Sequence, residues 1–508
     1  MPSVPQEARP SSQSSTSALG GSTLARDRLS VIEVVCFCQA AATPLTVATA
    51  VVVTGLAVTG LLGISLSFVV VAVVLVFFAF GFVAMAQKIS NAGAFYAFIA
   101  VGLSRKLGVG GAWLALASYN ALQVGLYGII GAAAAPVAEQ FLGVTMSWWG
   151  FALIAWALTL VMGLREVNFS GRVLTVLLIA EISVIVVFSV VFVADPSPEG
   201  LSFATFAPGH LFGGGLGALL VMGFLAFVGF ESSAVYAEES RNSIRTVRTA
   251  TFVGLALSMT LYAFASWAMS VATGPSRLVA QARSQQTELF FNLASDRLGS
   301  VAADVGHVLF VTSVLAALVS FHNTSARYAF ALGREHVLPG VLGRTSSRAH
   351  APVAASLLQS ALGLIVIAVY AVAGLDPVVQ LFFTFGTAGG IGVLTLLALT
   401  SVSVFSFFSR TTAHGVGVFS ASIAPVVSTI ALFVMLFLAL GNVDVLLGVR
   451  PGHPLTWIIP VVIGATVVLG ALWGRVLQLR RPEVFAVIGL GVDSAAGRPA
   501  GLRPEGTA

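Results

Sequence analysis

Apolar residues run along the chain almost continuously from about Val31 to Trp473, interrupted at short intervals by a few polar or glycine-rich positions. A helix that crosses a bilayer needs about 20 mostly apolar residues. Windows of that length predict twelve spans, at 31–54, 61–85, 110–138, 147–164, 171–194, 213–236, 250–273, 301–326, 352–373, 378–404, 416–440 and 456–474. The alternating pattern of a closed β-barrel, the other structure that satisfies its backbone in lipid, does not occur. The predicted class is therefore an all-α integral membrane protein. Residues 91–104 are too short and too polar to span, and are expected as a short helix at the membrane surface. Residues 1–29 lack an apolar run and are rich in Ser, Gln and Pro, and residues 481–508 are rich in Gly, Pro and Arg; both are expected to be disordered tails flanking a membrane domain over 30–480.

Composition agrees with this pattern. Only 9% of the 508 residues are charged and 57% are hydrophobic, against about 25% charged in a soluble protein. So few charges cannot cover a water-facing surface, and the solvent for most of the protein must be lipid. The net charge of +5 does not point to nucleic acid, because the basic residues sit in short loops between apolar runs. With twelve spans and the N-terminus inside, only Arg277, Arg283, Arg297 and Arg450 of the 25 Lys and Arg fall outside. Positive loops stay cytoplasmic, so both termini are expected in the cytoplasm and the protein in the cell membrane.

The candidate chemistry lies where the apolar runs are disturbed. In the first span, Gln39-Ala40-Ala41-Ala42-Thr43-Pro44 joins small residues to a proline. Proline has no N–H to donate and its ring clashes with the carbonyl four residues back. In the sixth, Phe227-Val228-Gly229-Phe230-Glu231-Ser232-Ser233 places a glycine, an acid and two serines together. A carboxylate inside a membrane costs about 2.5–3.5 kcal/mol on insertion scales, which makes it a functional candidate. Glu231 is one such group, and Glu181 in the fifth span is the other. Tyr119, Asn120, Gln123 and Tyr127 form a polar stripe at helical spacing in the third span, facing either neighbouring helices or a site. Cys36 and Cys38 point to different faces and read as packing residues. The seven histidines are scattered (His210, His307, His322, His336, His350, His414 and His453), and no metal, nucleophile–base or phosphate-loop motif accompanies them. No catalytic residue, metal or cofactor is expected, and a membrane-embedded enzyme is the remotest reading.

Several segments resemble the amino acid–polyamine–organocation (APC) superfamily. Phe227-Val228-Gly229-Phe230-Glu231 is similar to that family's sixth-helix motif. Glu238-Glu239 with Arg241-Asn242 and Arg248-Thr249-Ala250-Thr251 resembles the loop after it. Asn91-Ala92-Gly93-Ala94-Phe95-Tyr96 resembles the turn before the third helix. Ser320-Phe321-His322-Asn323, Ala326-Arg327-Tyr328, Leu332-Gly333-Arg334 and Leu338-Pro339 resemble the run leaving the eighth. The chain departs from the family at the first break, where Ala41-Ala42-Thr43-Pro44 replaces a Gly-x-Gly pattern. It departs again in the loop after the sixth span, where Ser243 and Thr246-Val247 replace prolines. Glu181 lies about where some proton-coupled members carry a lysine.

The resemblance implies a leucine-transporter-like 5+5 inverted repeat: repeat one over about 31–194, repeat two over about 213–404, and two extra helices at 416–440 and 456–474. In such folds the first helix of each repeat is broken and the substrate binds at the breaks. It implies a secondary transporter that imports an amino acid or small amine by alternating access. The substrate would be held by Ala40, Ala41, Ala42, Thr43, Tyr119, Asn120, Gln123, Gly229, Phe230 and Glu231, with Phe382 or Phe383 near its side chain. Glu231 and Glu181 would couple transport to protons. Two alternatives stand on the same fold: a sodium symporter using hydroxyls such as Thr312 and Ser313, and an exchanger. A neutral or cationic amino acid and a small amine all remain open as substrate.

Overall fold

The computed structural model describes Leu24 and residues 27–89, 91–165, 167–346, 350–411 and 415–491. Most of the N-terminal tail, residues 492–508, Arg348 and His414 lie outside the described residues. In lipid the backbone must satisfy its own hydrogen bonds. The described residues meet that demand with helices and contain no strand beyond one isolated bridge, Leu29 with Ser240. The main ones, in order, are α1 (Val31–Thr59), α2 (Ile64–Ala86), α3 (Phe95–Gly102), α4 (Arg105–Leu142), α5 (Trp148–Leu164), α6 (Val167–Ala194), α7 (Leu216–Ala234) and α8 (Ser243–Thr273). There follow α9 (Pro275–Gln285), α10 (Leu289–Leu298), α11 (Ser300–Arg334), α12 (Val353–Val372), α13 (Pro377–Arg410), α14 (Phe419–Gly441), α15 (Leu455–Arg480) and α16 (Pro482–Val487).

Eleven of these helices are long and apolar enough to cross a membrane. The predicted span 147–164 is α5, which is apolar but has 17 residues, about 26 Å at 1.5 Å per residue. The α1 helix begins with a reciprocal cap, Ser30 Oγ accepting from Glu33 N–H (3.3 Å) and Glu33 Oε2 from Ser30 N–H (2.8 Å). This accounts for a glutamate at the start of an apolar run. Long α4 runs through the bundle and packs on α3, α5, α11, α13 and α15, while the start of α1 packs on α6, α8 and α11.

Three features differ from the sequence reading. The helix expected at the membrane surface, α3, is buried along nearly its whole length between α4 and α13, because its apolar residues Phe95, Phe98 and Ile99 have protein neighbours. Two short helices, α9 and α10, fill the connection between α8 and α11. Arg283 and Arg297 hold them by donating to the carbonyls of Ala57 (2.8 Å), Asp195 (3.1 Å) and Ala272 (3.0 Å). The C-terminal tail expected from 481 onward starts instead with α16 and a docked turn through Gly491.

At the end of the bundle where α1 begins, consecutive acids after α7 tie neighbouring segments together. Arg327 binds Glu239 through two bonds, Nε to Oε2 (2.5 Å) and Nη2 to Oε1 (3.0 Å), with both side chains 2% exposed. The Arg327 guanidinium also lies 4.8 Å from the Tyr236 ring centroid. Arg334 forks onto Glu238 at 2.8 Å through both terminal nitrogens, and Glu238 accepts from Ala92 N–H (2.9 Å). The Glu239 carbonyl accepts from Arg28 and Leu29 N–H. Removing one partner of a buried pair strands the other charge, at about 3–5 kcal/mol. Glu239→Gln is therefore expected to lower the thermal unfolding midpoint in detergent markedly. The double variant Glu239→Leu with Arg327→Met should recover much of the loss; equal loss in both would show that the pair is not what stabilises this end.

Candidate functional site

The α1 helix stops at Thr43. After Ala42 the backbone turns left-handed at Thr43 (φ 46°, ψ 67°) and resumes at Pro44. Proline is well placed there, since the first residue of a helix has no intrahelical use for its N–H. The restarted helix still presents free N–H groups at its positive end. No side chain of its own caps it. Instead Glu181 of α6 reaches in, and its Oε1 accepts from Leu45 N–H (2.6 Å) and from Ser313 Oγ of α11 (2.6 Å). The buried carboxylate thus joins the α1 break to two further helices.

The second break faces the first. The α7 helix leaves α-helical form after Leu225, and a 3₁₀ turn takes over at Phe230. Gly229 between them has φ +122°, a conformation that side chains with a Cβ rarely adopt. A Cβ on Gly229 would also lie 2.6 Å from Ala41 Cβ, 3.0 Å from the Cys38 carbonyl and 3.1 Å from Ala42 N. The small residues of α1 therefore serve close approach of the two broken backbones. Glu231 closes its own break, Oε2 accepting from Gly229 N–H (2.9 Å) and Oε1 from the Tyr119 hydroxyl of α4 (2.8 Å). Ser232 Oγ donates to the Gly229 carbonyl (2.7 Å).

Ala40, Ala41, Ala42, Thr43, Tyr119, Gly229, Phe230 and Glu231 thus come together, all buried. Phe230 stands edge-on to Phe78 of α2, with ring centroids 6.1 Å apart. The rest of the predicted stripe turns elsewhere. Asn120 is 100° round the helix from Tyr119 and donates to its own Leu116 carbonyl (2.8 Å). Gln123 joins a cluster with Tyr127, His322 of α11 and Gln359 of α12, whose Nε2 donates to Gln123 Oε1 (2.5 Å). Two polar atoms beside the α1 break were missed by sequence reasoning. Gln39 Nε2 and Thr46 Oγ1 are buried and have no hydrogen-bond partner among the described residues, so a polar ligand could satisfy them. Above the break a cavity of about 500 Å³ is lined by Thr49, Ala50, Ile129, Phe310, Phe382 and Phe383, with Arg283, Glu288 and His307 also on its wall.

Gly229→Ala tests the contact between the breaks. Strain at φ +122° and the 2.6 Å approach to Ala41 are expected to push the helices apart and abolish substrate binding, while the protein still reaches the membrane. Binding at undiminished affinity, measured by scintillation proximity with a labelled substrate, would show that the close approach is not needed.

A stretch of 209 residues, 39% of this chain, is 24% identical to the branched-chain amino acid permease BcaP of Lactococcus lactis subsp. cremoris (strain MG1363), covering 42% of that protein. This chain therefore matches less than half the length of that relative. A family profile described as amino acid permease matches residues 34–464. With most of its length matched, breaks and buried acids included, the chain belongs to the amino acid permease family of the APC superfamily, transporters rather than enzymes.

Proposed function

We propose that this permease imports an amino acid across the cell membrane by proton symport with alternating access, and that Glu181 and Glu231 couple the two. In this reading twelve membrane-spanning helices, α5 among them, form a 5+5 inverted repeat with both termini cytoplasmic. The name of the aligned relative favours a neutral substrate with a branched aliphatic side chain. The observation that carries the reading is the meeting of two helix breaks, each held by a buried carboxylate. The positive end of the restarted α1 suits a substrate carboxylate, and carbonyls before the break and near Gly229 suit its ammonium group. The substrate side chain points toward Tyr119, Phe230 and the phenylalanine pair 382–383, and the cavity of about 500 Å³ is its entry path.

Glu181 holds the Leu45 N–H that a substrate carboxylate would seek. A hydrogen bond to a charged acceptor contributes about 1.5–3 kcal/mol and one to a neutral group about 0.5–1.5. Protonating Glu181 therefore weakens its hold on Leu45 by about 1–2 kcal/mol, on the order of tenfold in competition for the site. In this account a proton enters, the helix end is released and the substrate takes it. Glu231, at the other break, senses the ammonium and carries the transported proton.

Uptake by Glu231→Gln and Glu181→Gln in proteoliposomes, with and without a pH gradient, tests the coupling. Each neutral variant is expected to keep exchange of labelled substrate. Gradient-driven accumulation should be lost in Glu231→Gln, and Glu181→Gln should bind substrate with less dependence on pH. Accumulation against a gradient by both variants, or uptake that follows Na⁺ rather than pH, would overturn it in favour of a sodium site or pure exchange.

A further inference from the structure

The chain does not leave the bundle after α15. It turns through α16 and buries Ile488 and Leu490, 1% and 8% exposed, with Phe485 under the Arg105 guanidinium (5.9 Å to the ring centroid). Gly489 between them has φ +87°, and its N–H donates to Glu335 Oε2 (2.7 Å) and lies 3.2 Å from the Tyr96 hydroxyl oxygen. Gly491 N–H donates to Glu335 Oε1 (2.8 Å). Glu335 follows the last residue of α11 and is fully buried. The same two oxygens accept from Asn91 Nδ2 (2.9 Å) and from the Tyr96 hydroxyl. One carboxylate thus gathers donors from the α2–α3 loop, from α3 and from the C-terminal segment. Burial pushes the Glu335 carboxyl above the usual carboxylate range, and the Tyr96, Gly489 and Gly491 donors pull it back.

The neighbouring residue is Arg334, whose fork onto Glu238 belongs to the closed end of the bundle. The α2–α3 loop is therefore fixed twice at one corner, by Ala92 N–H on Glu238 and by Asn91 on Glu335. Of the segments meeting there, the C-terminal one lies beyond the last span and supplies nothing to the breaks in α1 and α7. When it undocks, a buried carboxylate loses two of its donors, and an under-satisfied buried charge is expelled toward water. We propose that residues 482–491 are a latch: docked on Glu335 they hold the α2–α3 loop against the end of α11 and slow the opening of this end, and undocked they release it. The proposal rests on the alternating-access reading.

The test uses the two native cysteines. Cys36 and Cys38 lie in the half of α1 at this end and are 4% and 0% exposed, so reaction with a small membrane-permeant maleimide reports its opening. In proteoliposomes, the full chain is compared with a chain stopped after Arg481, a chain stopped after Gly491, and Gly489→Pro. Proline removes the N–H and cannot adopt φ +87°. Chains lacking residues 482–508 and Gly489→Pro are expected to label severalfold faster, with exchange of labelled amino acid accelerated in parallel and the thermal midpoint within a few degrees of the full chain. The chain stopped after Gly491 should behave like the full chain. Unchanged or slower labelling in folded Gly489→Pro, equal acceleration on removing only 492–508, or acceleration that tracks general loss of stability would each overturn the latch. Absence of amino acid exchange in the full chain itself would overturn the transport reading, while the labelling comparison still decides the latch.

Discussion

The structure depends on what happens to the peptide groups that two helix breaks set free inside a membrane. Elsewhere in the bilayer a helix satisfies its own backbone. At Thr43 and Gly229 it does not, and unpaired N–H and C=O groups in a dry interior cost several kcal/mol each. The protein brings the breaks together, so that Gly229 sits against Ala41 and Ala42, and it covers each with a carboxylate. The small residues, the proline, the positive-φ glycine and the two acids are consequences of that single requirement.

The two carboxylates answer it in different ways. Glu231 is local: it returns two residues to Gly229 N–H and takes one further bond from Tyr119 of α4. Glu181 is long-range: it comes from α6, 136 residues away from Leu45 in sequence, and also takes the hydroxyl of Ser313 on α11. A change in charge at Glu231 acts first on the geometry of one break. A change at Glu181 acts on the relative position of three helices. The division gives the proposed transport cycle a local sensor and a global one.

The sequence made the breaks legible because each has a chemical signature inside an apolar run: Pro44 lacks a donor, and an acid beside Gly229 stands out against Phe and Val. Eleven of the spans were legible as continuous apolar runs of membrane-crossing length. Side-chain partners were not, because helical spacing states which residues share a face and not which helix that face meets. Gln123 and Tyr119 lie one turn apart, yet Gln123 pairs with Gln359 and His322 while Tyr119 pairs with Glu231. The α3 helix looked like a surface helix because it is short, but its apolar residues are covered by protein. Short polar segments carried no signal at all. The α9 and α10 helices are held by buried apolar side chains such as Leu278, Phe290 and Phe291 and by arginine bonds to distant carbonyls, and the turn at Gly489 by a carboxylate 154 residues away. Such contacts have no local period.

In the proposed alternating-access cycle, the two ends of the bundle differ in a way that matters for opening. Near α9 and α10 a cavity of about 500 Å³ reaches toward the breaks. At the opposite end Arg327–Glu239 and Arg334–Glu238 are sealed within protein. A buried ion pair contributes little net stability over apolar packing, but splitting it without water is costly. An opening at that end must therefore admit water as the pairs separate, so that each charge exchanges its partner for hydration as it leaves. The closed state is then held less by the net attraction of the pairs than by the barrier to wetting them. Contacts that keep water out, such as Tyr236 against Arg327 at 4.8 Å and stacked on Phe37 at 4.5 Å, set that barrier as much as the charges do.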